Sequence, residues 1–390
     1  MRDGWVEYKF KDVATAVKGK LPKSKNEDGI GIPYLTASYL RSSKPDYWIQ
    51  NLDGTVTAED GDCLILWDGA GAGDLFSAHR GVVSSTMAVV TTQNSKILRE
   101  FLTLFLSSKA DYIKETCRGT TVPHVSPDAI ANMDLKIPPL PEQKRIVDLI
   151  SSVDSYIEAL QQQLESVRSA SNAQLEKIVS EFNDDWVEVT LGEVLEISRG
   201  GSPRPIQNYL TDFEEGINWV KIADATRSEK YIYSTLQKIK REGISRSREV
   251  FSGDFILSNS MSFGRPYIMR TDGCIHDGWL LLSNVSKYFD EDFLYNLLNS
   301  DYVQRQFESL AAGSGVRNLN IEVVKKVKVK IPTIEVQKEL ASVINEFDNF
   351  KISLTKQIHS VFNLRSALLS DLLSGEHEIP ASYDKVMGAA

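Results

Sequence analysis

The sequence predicts an α+β protein with two repeated mixed α/β domains, separated by two long antiparallel α-helices that form an intramolecular coiled coil around a pseudo-two-fold axis. Three observations support this fold class: a repeat of about half the chain, short apolar segments between Gly- and Pro-containing turns, and a long apolar stripe after each domain. Short apolar segments between turn residues are typical of β-strands. Stripes with spacings of three and four residues are typical of packed helices.

The repeat is most evident where each domain passes into its helix. The segment LKIPPLPEQKRIVDLISSVDSYI starts at Leu135, and VKIPTIEVQKELASVINEFDNFK starts at Val329. Seven residues of the first segment recur 194 positions later, among them Ile137, Pro138 and Gln143. Weaker matches pair WVEYKF with WVEVTL and GDCLI with GDFIL. Repeats of about 20 to 50 residues would indicate a solenoid, whereas this repeat indicates two whole domains.

The repeat sets the predicted order of the chain. It is a first domain at residues 1–137, a first helix at 138–183, a second domain at 184–331, a second helix at 332–375 and a C-terminal tail at 376–390. Prolines before each helix and Gly375 after the second are typical helix boundaries.

Each predicted helix carries an apolar seam with the spacing of a coiled coil. The seam of the first helix is Ile146, Ile150, Val153, Ile157, Leu160, Leu164 and Val167, and that of the second is Leu340, Ile344, Phe347, Leu354, Ile358, Val361, Leu368 and Leu372. A single seam would favour a dimerisation arm. Two seams at matched positions in one chain favour an intramolecular pair, and the order of the domains makes that pair antiparallel.

The bulk composition limits the class of protein. No apolar run approaches the ~18 residues that span a bilayer, the N-terminus lacks the apolar core of a signal peptide, and the three cysteines form no CxxC pair. We therefore expect a soluble cytoplasmic protein with no membrane partner. The net charge of −9 argues against a simple nucleic-acid binder, although residues 19–25, 199–205 and 238–248 are locally basic.

The sequence contains no motif that would carry catalysis. The GAGAG run at 69–73 matches neither the P-loop nor the G-x-G-x-x-G pattern, so it is interpreted as a turn that approaches another backbone closely. The five histidines lack the spacing of metal ligands. We therefore expect no catalytic and no metal-binding residues.

The two helix entries carry the pattern I-P-x-x-x-x-Q followed by an apolar helix, and the domains open on W-V-x-x-x-F/L. This arrangement resembles the specificity (S) subunit of type I restriction–modification systems. Glu335 and Val336 depart from the Pro141 and Glu142 of the first copy. The resemblance implies two target-recognition domains joined by conserved spacer helices, with each domain specifying one half of a DNA site.

The resemblance also implies the partners of the chain. They are double-stranded DNA with a bipartite, asymmetric site and two methyltransferase (M) subunits, with room for restriction/translocase (R) subunits. S-adenosylmethionine, ATP and Mg²⁺ would bind those partner subunits, and this chain would hold no cofactor. It would be the non-catalytic targeting subunit of the complex.

Lys and Arg on loops suit phosphate contacts, and Arg, Asn, Thr and similar side chains suit the reading of base edges. In the first domain the candidates are Lys20, Lys23, Lys25, Tyr39, Arg41, Arg118, Thr120, Thr121 and His124. In the second domain they are Arg199, Arg204, Lys221, Thr226, Arg227, Asn259, Arg265, Arg317 and Asn318.

Two other functions fit the same layout. A protein-binding coiled-coil scaffold would retain no specific DNA in any complex. A stand-alone DNA-binding regulator would bind its site tightly without partners, which the acidic net charge disfavours.

Overall fold

The computed structural model describes residues 4–119, 121–180, 185–228, 230–259, 263–312 and 318–387. The chain divides into two compact units, Met1–Gln161 with Lys356–Ala390, and Gln162–Thr355. Each unit combines one globular domain with one half of each long helix.

The first domain has ten strands and five short helices among its described residues. The strands are β1 (Val6–Lys9), β2 (Ala14–Lys18), β3 (Ile32–Leu35), β4 (Trp48–Ile49), β5 (Thr57–Ala58), β6 (Cys63–Leu66), β7 (Leu75–Ser77), β8 (Gly81–Val83), β9 (Met87–Thr92) and β10 (Asp134–Ile137). The helices are α1 (Phe10–Val13), α2 (Ala37–Ser42), α3 (Arg99–Ser108), α4 (Ala110–Glu115) and α5 (Pro127–Ala131). Two sheets, ordered β2-β9-β6-β7 and β4-β3-β8-β5, form the body of the domain, and β1 pairs with β10.

The second domain repeats this plan after the long helix α6 (Leu140–Ser180). Its strands are β11 (Val187–Thr190), β12 (Glu196–Arg199), β13 (Leu210–Thr211), β14 (Ile217–Val220), β15 (Tyr231–Ile232), β16 (Gln237–Ile239), β17 (Arg248–Val250), β18 (Phe255–Ser258), β19 (Pro266–Met269), β20 (Gly273–Ile275), β21 (Trp279–Ser283) and β22 (Lys328–Ile331). Its α-helices are α7 (Leu191–Val194), α8 (Ile222–Thr226), α9 (Glu291–Asn299), α10 (Asp301–Ala312) and α11 (Ile321–Lys325). Its 3₁₀-helices are Ile206–Asn208, Arg241–Arg246 and Val285–Lys287.

The strand pairings confirm the repeat that the sequence predicts. β3 pairs parallel with β8 in the first domain, and β14 pairs parallel with β20 in the second. β1 pairs antiparallel with β10, and β11 with β22 in the equivalent register. Because these pairings join segments far apart in sequence, two matching sets indicate a common architecture.

The second long helix, α12, spans Ile334–Ser374, and the tail adds α13 (Tyr383–Met387). Both long helices begin two residues later than predicted, because the prolines at 138 and 332 belong to the exit from the preceding strand. Pro141 lies in the first turn of α6, where its missing N–H has no intrahelical partner to lose. Gly375, with φ of +80°, ends α12 as predicted; residues 181–184 lie outside the described part.

The two helices run antiparallel within each unit. In the first unit Asp154 forms an ion pair with Arg365, and Tyr156 accepts a hydrogen bond of 2.7 Å from Gln357. In the second, Ser171 lies 3.5 Å from the Lys351 ammonium. All fifteen residues of the predicted seam are buried or half-buried.

The helix ends are part of the domain cores. Ile146 and Ile150 of α6 and Leu369 and Leu372 of α12 belong to the main core of the first unit, as does Ile379 of the tail. In the second unit Val179 of α6 and Ala341 of α12 belong to the main core. The core of each domain therefore includes side chains from one end of both helices.

The end of α12 meets the start of the chain, as the repeat order predicts. A Cβ atom added to Gly375 would lie 3.7 Å from ring atoms of Trp5, and Trp5 itself is buried. No helix in the described part of the chain is both long and apolar enough to cross a membrane.

Candidate nucleic-acid interface

An open cleft of about 1290 Å³ lies in the second domain. Its walls are the loop after β12, the end of β14 with α8, and the turn after β20. Four of the predicted DNA-binding residues line it, namely Arg204, Lys221, Thr226 and Arg227. Apolar atoms of Trp219, Ile206 and Ile222 complete the walls. The cleft therefore combines cationic side chains with apolar surface.

Gly200 fixes the position of the arginine-bearing loop. A Cβ atom there would lie 1.9 Å from the carbonyl oxygen of His276, so only glycine permits this approach of two backbones. The first domain contains the same close approach of two backbones, because a Cβ on Gly19 would lie 2.2 Å from the carbonyl oxygen of Ser84. Both domains thus bring the loop after this strand against the same turn.

Asp277 organises one wall of the cleft. Its carboxylate accepts a hydrogen bond of 2.7 Å from the Ser202 hydroxyl and pairs with Arg204 at 3.3 Å. Its backbone carbonyl accepts hydrogen bonds from Arg199 Nε at 3.0 Å and Asn259 Nδ2 at 2.9 Å. The hydrogen bond from Ser202, followed by the positive charge of Arg204, holds the Asp277 pKa below its usual range. The carboxylate is therefore ionised at neutral pH.

His276 lies beside Asp277 at the base of the cleft. Burial lowers its pKa, and its Nδ1 accepts a hydrogen bond of 2.9 Å from the Gly278 amide. The ring is thus neutral at pH 7, which leaves Nε2 as the N–H donor. Trp219, 6.1 Å away between ring centroids, supports the ring.

The remaining described candidates of the second domain lie outside the cleft lining. Arg265 is exposed, with its guanidinium 5.3 Å from the Tyr267 ring centroid, and Asn318 is exposed. Asn259 is buried, and its side-chain amide donates a hydrogen bond to the backbone carbonyl of Asp277. Arg317 falls outside the described residues.

In the first domain the basic loop after β2 lies over aromatic rings. Lys20 and Lys23 are exposed, and Lys25 places its ammonium 4.8 Å from the Tyr34 ring centroid and 5.1 Å from that of Tyr47. Tyr34 occupies the repeat position of Trp219. The equivalent places in the two domains therefore carry different chemistry.

The other candidates of the first domain divide into two groups. Arg41 is exposed and pairs at 2.6 Å with Asp74, which also pairs with Lys114. Arg118 and His124 are exposed and joined by two backbone hydrogen bonds of 2.9 and 2.8 Å. Thr121 is exposed in the same loop, and Thr120 lies outside the described residues.

The structure corrects the prediction for Tyr39. This side chain is only 7% exposed and belongs to an apolar core cluster with Leu35 and Met87. The reason is local, since the Thr36 hydroxyl caps α2 by accepting from the Tyr39 amide, and the first turn of that helix faces inward. The Tyr39 ring therefore packs within the core of the first domain.

The GAGAG run is a turn, as predicted. Gly69, Gly71 and Gly73 have positive φ, and a Cβ on Gly73 would lie 3.1 Å from the Cα of Lys114. Within the described residues no cluster of His, Cys, Asp and Glu could hold a metal ion. Cys63 and Cys274 are buried, and Cys117 is partly buried.

Sequence reasoning missed the two residues that organise the cleft, Asp277 and Ser202. Cations and amides are the side chains expected to face DNA, and neither residue belongs to that class. A nearby sequence feature could have identified Asp277. It directly follows His276, the residue after strand β20 whose backbone approaches Gly200.

A family comparison decides the assignment. The model of the type I restriction modification DNA specificity domain matches the chain twice, at residues 2–168 and 183–362. The chain belongs to this family. Two matches in one chain agree with the two domains and their following helices.

Members of the specificity family resemble the chain along its whole length. The type I restriction enzyme MjaVIII specificity subunit of Methanocaldococcus jannaschii is 25% identical, over 96% of this chain and 93% of the relative. The EcoBI specificity subunit of Escherichia coli is 21% identical, over 99% and 92%. Neither the scaffold nor the regulator hypothesis gains support from these relatives.

Solved structures share the fold of the specificity family. A chain from a study of complex assembly and conformational transition of the type I R-M system aligns with a TM-score of 0.68 at 16% identity, over 96% of this chain and 98% of that one. The S subunit from M. genitalium aligns with a TM-score of 0.53 at 15% identity, over 95% and 96%.

Proposed function

We propose that this chain directs a type I restriction–modification complex to a bipartite double-stranded DNA site. Each domain reads one half-site, and the paired helices set the gap between the halves and dock two methyltransferase subunits. The chain itself performs no chemistry. S-adenosylmethionine, ATP and Mg²⁺ bind to partner subunits, which include R subunits where the complex also restricts, and the complex acts in the cytoplasm.

One observation carries the proposal of two different half-sites. The two domains share one backbone plan, yet their equivalent positions hold different side chains. Trp219, Lys221 and His276 of the second domain correspond to Tyr34, Thr36 and Ser84 of the first. Since base readout depends on the donors, acceptors and apolar groups that reach a groove edge, two domains with these different side chains prefer different bases. A homodimeric reader would be restricted to a palindrome.

The charge distribution supports a need for partner subunits. The chain carries a net charge of −9, and two candidate arginines are already paired, Arg204 with Asp277 and Arg41 with Asp74. Neutralising DNA phosphates with Lys and Arg supplies most of non-specific affinity. The methyltransferase subunits therefore contribute much of the phosphate contact.

A domain exchange tests the proposal. We expect that replacing residues 1–135 with the matching domain of a relative changes one half of the methylated sequence and leaves the other half and the gap unchanged. Methylation mapping of DNA from cells that express the complex reads both halves at once. The reciprocal exchange of residues 184–329 is the matched control and should change the opposite half.

Two results would contradict this assignment. If both halves changed together, the domains would not read independently. If neither half changed, bases would be read by another subunit.

A further inference from the structure

A buried glutamine at the start of α6 joins three separate segments of the first unit. Gln143 is fully buried, and its Oε1 accepts a hydrogen bond of 2.8 Å from the Leu98 amide at the N-cap of α3. Its Nε2 donates to the carbonyl oxygens of Lys96 and Pro138, each at 2.8 Å. One amide group thus connects the strand exit, the first turn of α6 and the loop that enters α3.

The second unit contains the same connection. Gln337 is 1% exposed, and its Oε1 accepts a hydrogen bond of 2.9 Å from the Asp290 amide at the N-cap of α9. Its Nε2 donates at 3.0 Å to the carbonyl oxygens of Tyr288 and Pro332. All three bonds of the first unit therefore have a counterpart at the repeat position.

The geometry goes beyond what the stability of a helix start requires. A serine or aspartate at the N-cap can satisfy the free amides of a helix, whereas each glutamine bonds backbone groups of the neighbouring domain. The apolar contacts around it are non-directional and tolerate small rotations. Hydrogen bonds weaken steeply once their angle is lost. Three bonds on one planar amide therefore fix the orientation of the helix relative to its domain.

We propose that Gln143 and Gln337 are positioning residues that set the direction in which each helix leaves its recognition domain, and thereby make the complex discriminate between gap lengths. This inference rests on the proposed function. In this proposal neither glutamine touches DNA. Their effect is to keep the two half-site readers at one separation, so that a site with one base pair more or fewer in the gap is rejected.

The test uses the full chain in complex with its methyltransferase subunits. Gln143→Met and Gln337→Met keep the approximate volume of the side chain but remove its polar atoms. We expect either variant to raise methylation of sites with a gap one base pair longer or shorter, relative to the native gap, by about tenfold, which corresponds to about 1.4 kcal/mol. The bases of both half-sites should remain unchanged.

The adjacent lysines provide matched controls. Lys144 and Lys338 follow the glutamines directly, recur at the same repeat positions and are exposed. Lys144→Ala and Lys338→Ala should leave the ratio between gap lengths as it is in the original protein. If Gln143→Met yields too little soluble complex, Gln143→Asn, which is one methylene shorter and keeps the amide, replaces it in the same assay.

The outcomes separate a positioning role from a merely structural one. A lower unfolding temperature with an unchanged ratio between gap lengths would overturn the proposal, because stability alone would then explain the glutamines. Altered half-site bases would overturn it as well. If the original complex methylated no bipartite site at all, the proposed function itself would fail, which the unaltered protein reveals before any variant is compared.

Discussion

At the scale of single residues, the second-domain cleft depends on one carboxylate. Asp277 holds Ser202 and Arg204 through its side chain, and its backbone carbonyl holds Arg199 and Asn259. Three of the predicted DNA-binding residues, Arg199, Arg204 and Asn259, are therefore placed by hydrogen bonds before DNA arrives. Gly200 allows the two backbones that carry these groups to approach. Such pre-ordering reduces the entropy that binding must overcome.

The pairing of Arg204 with Asp277 leads to a prediction for Asp277→Asn. Because the carboxylate is ionised at neutral pH, the variant removes a full negative charge and releases Arg204 for a phosphate. We expect tighter non-specific DNA binding by the complex, with a salt dependence steeper by about one unit in log–log slope. Fluorescence anisotropy at several salt concentrations measures both quantities.

The matched control is Asp212→Asn, which removes the same charge from an exposed position outside the cleft lining. If both variants steepened the slope equally, net charge rather than the release of Arg204 would explain the effect.

At the scale of elements, the long helices are shared between two cores. Ile150 of α6 is fully buried in the core of the first unit together with Leu372 of α12, and Ile344 is its repeat equivalent in the second unit. Apolar seams of this kind stabilise by removing surface from water. The ion pair of Asp154 with Arg365 adds a directional contact between the two helices in the first unit.

We expect Ile150→Ala to lower the free energy of unfolding of the first unit by about 2–5 kcal/mol, because it leaves a cavity in a closed core. Hydrogen exchange should accelerate in β1 and β10 while β11 and β22 keep their protection. Ser151→Ala, an exposed neighbour on the same helix, should change neither. Equal loss of protection in all four strands would mean that the two units do not unfold separately.

At the scale of the whole molecule, the proposed function requires the helices to act as a ruler. Each long helix has 41 residues, and a helix rises about 1.5 Å per residue. Duplex readers of repeated design place their half-sites about one helical turn, ~34–36 Å, apart. The length of the helices should therefore appear in the DNA gap.

Insertion of four residues with matched heptad character near Leu164 and near Ile358 tests this ruler. Each helix would lengthen by about 6 Å, close to two base pairs of rise, so we expect the methylated gap to grow by about one or two base pairs. The half-site bases should stay the same because neither domain changes. Full methylation at the original gap would show that the helices do not set the spacing.

The sequence by itself determined the repeat, the long helices and the position of the glutamines within them. Those features depend on local sequence, namely the spacing of the apolar seams, the prolines before each helix and Gly375 after the second. Residues close together in the chain are therefore enough to predict them. The clustering of Arg204, Lys221, Thr226 and Arg227 followed in part, because loops at equivalent repeat positions were already candidates.

Only the tertiary structure decided which side chains face outward and which partners they meet. Tyr39 comes shortly after a strand, where an exposed residue was expected. The capped first turn of α2 instead buries its side chain. Asp277 reaches Ser202 across 75 positions of sequence, and Gln143 reaches Leu98 across 45. Hydrogen bonds of this kind depend on ångström distances between segments that only packing brings together, and no local pattern of residues encodes those distances.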